Sequence, residues 1–86
     1  MAMYEVAMVN QPGSFFTDRD PTRPEGSEIV AGFIQVQFAN FEDAPGEQQQ
    51  REERARRAFS KGETRERSVH TRYVAWVTKI RDPAQD

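Results

Sequence analysis

Hydrophobic and polar residues alternate along three segments of this chain, residues 3–10, 29–40 and 67–81, and a two-residue period is typical of β-strands. A helical spacing through Val30, Ile34 and Phe38 competes with the alternation in the second segment, but β-branched residues favour a strand there. One side of the three predicted strands carries mostly apolar residues: Tyr4, Val6, Met8, Ile34, Val36, Phe38, Val74, Trp76 and Ile80. The pattern therefore predicts three strands that share an apolar face.

Residues 47–60 predict the one long helix. Pro45 and Gly46 precede this segment, and Gly62 lies where a glycine commonly ends a helix. The apolar stripe is thin, because only Ala55, Ala58 and Phe59 contribute to it. Together the elements predict a small α+β domain of order β-β-α-β, in which one helix packs on a three-stranded, mainly antiparallel sheet.

A long connection separates the first two predicted strands. Residues 11–26 contain three prolines and two glycines, so we expect no regular element there. Phe15 and Phe16 in this loop either attach it to the core or form an exposed apolar tip for a partner. We expect one domain over residues 1–81, and a frayed tail at residues 82–86.

The composition restricts the class of protein. The 86 residues include no Cys and no Leu, which excludes a disulfide scaffold and a zinc site built on cysteines. No segment has the length of apolar residues that crosses a bilayer, and the first residues do not form a signal peptide, so we expect a cytoplasmic protein. A core this small provides limited stability, and a partner that buries more apolar surface would increase it. A second copy of the chain, forming a homodimer, is one candidate partner.

The small net charge of −2 conceals an uneven distribution. Residues 1–50 carry eight acidic and two basic side chains, whereas residues 51–86 carry six acidic and ten basic ones. Two opposite surfaces could therefore recognise a partner, one through carboxylates and one through guanidinium groups.

No pattern in the chain predicts catalysis or a cofactor. The single His70 lies two residues from Ser68, but the nucleophile elbow and oxyanion loop of a hydrolase are missing. Asp18 and Asp20 lack the glycine and the bidentate glutamate of a calcium loop. We therefore expect a protein that is not an enzyme and that holds no metal.

The acidic half gives the first functional hypothesis, a small binding protein that engages or inhibits another macromolecule. Carboxylates on a loop can imitate phosphates and occupy the basic groove of a nucleic-acid-processing complex, as a phage or mobile-element inhibitor of the anti-CRISPR kind would. Its contact residues would be Phe15, Phe16, Asp18, Asp20, Glu25 and Glu28.

The basic half gives the alternative, a module that binds RNA or another single-stranded nucleic acid. Arginines would contact phosphates, and aromatic rings on a strand would stack on bases. The residues of this alternative are Arg51, Arg54, Arg57, Arg72, Tyr73 and Trp76. Glutamates interleave with the arginines, and the isoelectric point near 5.4 is low for such a domain.

Overall fold

Over its described residues, the chain folds as an α+β domain with one α-helix and a five-stranded antiparallel sheet. The structure, a computed structural model, describes residues 2–23, 30–40 and 47–81. The elements in chain order are β1 Met3–Met8, β2 Phe15–Thr17, β3 Phe33–Ala39, α1 Gln48–Lys61, β4 Arg65–His70, a 3₁₀ helix Thr71–Tyr73 and β5 Val74–Ile80. The predicted three-stranded sheet and the predicted order β-β-α-β are both wrong, because three strands precede the helix and two follow it.

The first additional strand, β2, lies inside the connection that was expected to be irregular. Its three residues pair with β1, where Val6 faces Phe15, and with β3, where Phe38 faces Thr17. Pro12 and Pro21 lie outside the paired residues, so neither removes a backbone donor from the ladder. The prolines therefore limit the length of β2 without preventing it.

The second additional strand arises because the predicted strand at 67–81 is divided in two. The 3₁₀ helix interrupts it, and the imidazole Nδ1 of His70 accepts a hydrogen bond from the backbone N–H of Arg72 at 3.2 Å. A bulge follows at Ala75, since Trp76 faces Ala7 while Val74 faces Met8. Because of this division, β4 and β5 form the two opposite edges of the sheet, and the 3₁₀ helix connects them.

The sheet is strongly curled. Its strand order is β4-β3-β2-β1-β5, so the two edge strands are consecutive in the chain. In a flat sheet of five strands the two edges would be about 19 Å apart. The link from His70 to Val74 spans at most about 14 Å, even when fully extended. The edges are therefore drawn together, and the sheet wraps around its own interior.

Two apolar clusters lie on opposite faces of this curled sheet. The inner cluster consists of strand residues that share one face: Val6, Phe15, Ile34, Val36 and Val69. The outer cluster lies where α1 packs on the sheet, and it contains Met3, Phe16, Ala39, Ala55, Ala58 and Ile80. The thin stripe of the helix suffices because the curl, and not the helix, buries most of the apolar strand residues.

The helix is confirmed close to its predicted bounds. Gly62 ends it in the left-handed conformation at φ 71°, and its N–H bonds back to the carbonyl groups of Ala58 and Phe59. Among the described residues, no helix is long and apolar enough to cross a membrane. Residues 82–86, predicted as a frayed tail, lie outside the described residues.

Candidate binding surface

A tight turn at residues 30–33 lies at one end of the sheet, where β3 begins. Val30 and Phe33 exchange both backbone hydrogen bonds, at 3.0 and 2.9 Å, and the two residues between them have positive φ angles, 54° at Ala31 and 82° at Gly32. Such angles are typical of a two-residue hairpin turn. The backbone N–H of Thr71 donates to the carbonyl of Gly32 at 2.9 Å, which fixes the turn against the 3₁₀ helix.

Three aromatic side chains contact one another in succession at this end, and a fourth, Trp76, lies on the strand that follows. The Phe33 ring meets the His70 imidazole edge to face at a centroid distance of 4.8 Å, and His70 meets Tyr73 at 5.0 Å. Trp76 follows Tyr73 by three residues. Phe33, Tyr73 and Trp76 are 45%, 53% and 46% exposed. We call these four residues the aromatic end surface.

The aromatic end surface lies on the outer face of the sheet, at the end opposite to the one that the helix covers. The pairing places Phe33, His70 and Trp76 on the same face as the helix-covered residues Ala39 and Ile80. The helix covers that face near Met3, the first residue of β1, whereas Trp76 lies opposite Ala7 near the other end of the strand. These two positions are about 13 Å apart along β1.

In the part of the chain that the structure describes, the segments that form the aromatic end surface contain one cationic side chain and no carboxylates. Residues 8–13, 30–35 and 68–77 contain neither Asp nor Glu. Arg72, between His70 and Tyr73, is exposed. Arg67 makes its contacts away from this surface. Its guanidinium lies over the rings of Phe15 and Phe38 and donates a hydrogen bond to the side chain of Gln11. The surface is therefore apolar and aromatic, with one exposed positive charge.

Because Gly32 has no side chain, the imidazole of His70 can lie close to the turn, in contact with Phe33 and Tyr73. A Cβ built on Gly32 would lie 2.6 Å from the Nε2 of His70, and φ at Gly32 is 82°. We expect Gly32→Ala to destabilise the fold by about 1–2 kcal/mol through backbone strain. It should also displace His70 from Phe33 and Tyr73. Urea unfolding measures the first effect, and the ¹H shifts of the His70 ring measure the second; unchanged ring shifts would contradict this role of Gly32.

Of the residues predicted for the acidic surface, the four that the structure describes do not form one exposed patch. Phe15 lies in the inner cluster and Phe16 in the outer cluster, so both attach the loop to the core and neither forms an exposed tip. The carboxylate of Asp18 accepts a hydrogen bond from the backbone N–H of Gln37 at 3.1 Å. The carboxylate of Asp20 accepts two from Thr22, at 2.8 and 2.6 Å, and closes a local turn. The other two predicted contacts, Glu25 and Glu28, lie outside the described residues.

A pocket of about 500 Å³ lies beside this loop. Two carboxylates and three cationic side chains line it, together with Tyr4 and Val77: Asp18, Asp20, Arg19, Arg23 and Lys79. The lining therefore favours neither an anion nor a cation. Within the described parts of the chain, no three His, Asp or Glu side chains are grouped so that they could hold a metal ion.

The arginines predicted for the basic surface separate into different environments. Arg51 is directed inward, where its Nη1 lies 3.5 Å from the buried carboxylate of Glu5 and its guanidinium lies over Phe16. Arg54 and Arg57 are exposed on α1. Arg72, with Tyr73 and Trp76, belongs to the opposite end of the outer face. Of the six residues predicted for nucleic-acid binding, Arg72, Tyr73 and Trp76 therefore lie at one end of the sheet. The other three are on α1, away from that end.

Phe33 is the residue of this surface that the sequence reasoning missed. The alternation contained a signal for it, because Phe33 falls on the opposite side of its strand from the buried Ile34 and Val36. In the sequence, His70 is a candidate catalytic base beside Ser68, and it also lies close to the basic and aromatic residues of the nucleic-acid alternative. Its Nδ1 accepts the Arg72 backbone N–H, and its ring packs between Phe33 and Tyr73, which is a structural arrangement.

Comparisons with known proteins give no match: no family model, no curated protein and no solved structure is similar to this chain. The functional conclusion therefore depends on the residues and their arrangement alone.

Proposed function

We propose that the protein is a non-catalytic binding protein that engages another macromolecule through the aromatic end surface. The observation that supports this proposal is the exposure of Phe33, Tyr73 and Trp76 at one end of the sheet, where hydrogen bonds hold the backbone of the turn and the 3₁₀ helix. Exposed aromatic patches mark interaction sites, and Trp and Tyr contribute strongly where proteins bind their partners.

The backbone that carries the row is already ordered, which lowers the entropic cost of binding. The turn at 30–33 closes with two hydrogen bonds, Thr71 donates to Gly32, and the N–H of Val9 donates to the carbonyl of Tyr73 at 2.7 Å. A surface held in this way loses little conformational entropy when a partner arrives. The acidic-loop hypothesis stays a prediction, and it has less support because Asp18 and Asp20 bond within the fold.

Affinity capture with matched variants tests the proposal. The wild-type chain, Tyr73→Ala/Trp76→Ala, and the acidic-loop control Asp18→Asn/Asp20→Asn are immobilised and exposed to a whole-cell lysate, with and without nuclease. All three should give the same circular dichroism spectrum. The aromatic variant should lose the bound protein or nucleic acid that the wild type and the control retain. Equal capture by the aromatic variant, or loss by the acidic variant alone, would contradict the proposal.

A further inference from the structure

The aromatic end surface has the chemistry that single-stranded nucleic acids require. Unpaired bases present flat π faces, and base stacking on an aromatic ring is worth about 1–3 kcal/mol per base. The rings of Phe33, His70 and Tyr73 contact one another at centroid distances of 4.8 and 5.0 Å, and Trp76 is an exposed residue of the strand that follows the 3₁₀ helix. We infer that this surface binds single-stranded RNA or DNA by stacking, an inference that depends on the proposed function.

Local charge favours a polyanion. Arg72 is exposed between His70 and Tyr73, and the described segments 8–13, 30–35 and 68–77 contain no Asp or Glu. A guanidinium beside a row of rings can contact the backbone phosphate while the neighbouring bases stack. The overall isoelectric point near 5.4 reflects acidic residues elsewhere in the chain and not the composition of these segments.

The arginine-rich helix is a poorer candidate for the same ligand. Arg51 is bound to Glu5, and Arg56 pairs with Glu52 and donates to the carbonyl of Arg81 at 2.8 Å. Glu53 lies directly before the exposed Arg54, so the helix surface has mixed sign. The helix also presents no exposed aromatic ring, since its one aromatic residue, Phe59, packs against the outer cluster.

The salt dependence should separate stacking from general attraction to a polyanion. With one exposed cation at the surface, the complex neutralises about one phosphate, and the affinity should fall only about threefold between about 50 and about 200 mM salt. A strand bound by several helix arginines would lose far more over the same range. Arg72→Gln should remove most of the salt dependence.

The test is fluorescence anisotropy with labelled oligouridine and oligothymidine of about 15 nucleotides, a length within reach of one small binding domain. Tyr73→Ala and Trp76→Ala should each weaken binding at least about tenfold, while Arg54→Gln/Arg57→Gln should leave it unchanged. Trp76 is the only tryptophan, so quenching of its emission by the unlabelled strand reports stacking directly. The two probes distinguish RNA from DNA, and a duplex of the same length should bind more weakly.

Three results would overturn the inference. The first is no binding of either single strand, the second is binding that the Tyr73 and Trp76 variants retain, and the third is loss of binding only in the helix variant. If neither probe binds but the lysate capture still depends on the aromatic residues, the proposed function stands with a protein partner and this inference fails. If the capture is also independent of them, both fail.

Discussion

Phe16→Ala is expected to unfold most of the protein at room temperature. Phe16 is fully buried at the junction of β1, β2, β3 and α1, in the outer cluster that also contains Met3, Ala39 and Ala55. Truncation of a buried Phe costs about 3–5 kcal/mol. A domain of this size without disulfides or metals has a total stability of about the same magnitude. Urea unfolding followed by circular dichroism should find little folded protein.

Phe33→Ala is the matched control, because it makes the same chemical change at the aromatic end surface. Phe33 is 45% exposed and its ring contacts His70, so its truncation should cost about 1 kcal/mol or less. It should weaken binding at the surface while the fold persists. Similar losses of stability at Phe16 and Phe33 would contradict the division of the aromatic residues into a core and a binding surface.

Glu5→Ala is expected to cost about 3 kcal/mol, because Glu5 joins the sheet to the start of α1. Its carboxylate, 8% exposed, accepts hydrogen bonds from Ser14 Oγ at 2.5 Å and from Gln48 Nε2 at 2.7 Å, and Arg51 Nη1 lies 3.5 Å away. Removing one partner leaves the Arg51 charge largely buried without compensation, and the loss in such cases is about 3–5 kcal/mol. The guanidinium would keep only neutral acceptors, among them Gln48 Oε1 at 3.0 Å and Ser14 Oγ at 3.1 Å, and its Nε has no hydrogen-bond partner.

A double-mutant cycle with Arg51→Met measures this coupling. Methionine keeps an apolar stem over Phe16 and removes the charge, so Glu5→Ala/Arg51→Met should lose less stability than the sum of the two single variants. We expect a coupling free energy of about 1–3 kcal/mol from urea unfolding. Strict additivity would show that the pair contributes nothing beyond its separate contacts.

The helix and the first strand could be predicted from the sequence because their signals are local. Pro45 and Gly46 before the helix and Gly62 after it mark both ends, and the observed Gln48–Lys61 differs from the prediction by one residue at each end. The alternation of Tyr4, Val6 and Met8 with Glu5 and Ala7 likewise predicts a strand at 3–10, and the observed β1 begins at the predicted residue and ends two residues earlier, at Met8. In such segments the local pattern and the tertiary packing favour the same structure.

The additional strands could not be predicted because their causes are not local. A strand of three residues, such as β2, is too short to show a period, and its pairing with β1 and β3 supplies the stability. The alternation at 67–81 continues through Thr71, Arg72 and Tyr73, whereas the hydrogen bond from Thr71 to Gly32 bends the chain there. Non-local contacts therefore decide the strand count.

The candidate site could be predicted only in part, because local sequence signals mark some of its residues and non-local contacts decide the others. Tyr73, Trp76 and Arg72 were identified from aromatic and basic residues on one segment, which is a property of composition. Phe15 and Phe16 could not be assigned to the core or to the surface, because consecutive strand residues point to opposite faces and only the fold shows that both faces are covered.

The most direct test of the aromatic end surface is an amide chemical-shift map of the ¹⁵N-labelled chain, titrated with the oligouridine or with the partner captured from the lysate. We expect the perturbed amides to be those of Val9, Gly32, Phe33 and residues 70–76, together with the Trp76 indole N–H. Shifts confined to the acidic loop at 18–23, or to the helix at Gln48–Lys61, would contradict the account.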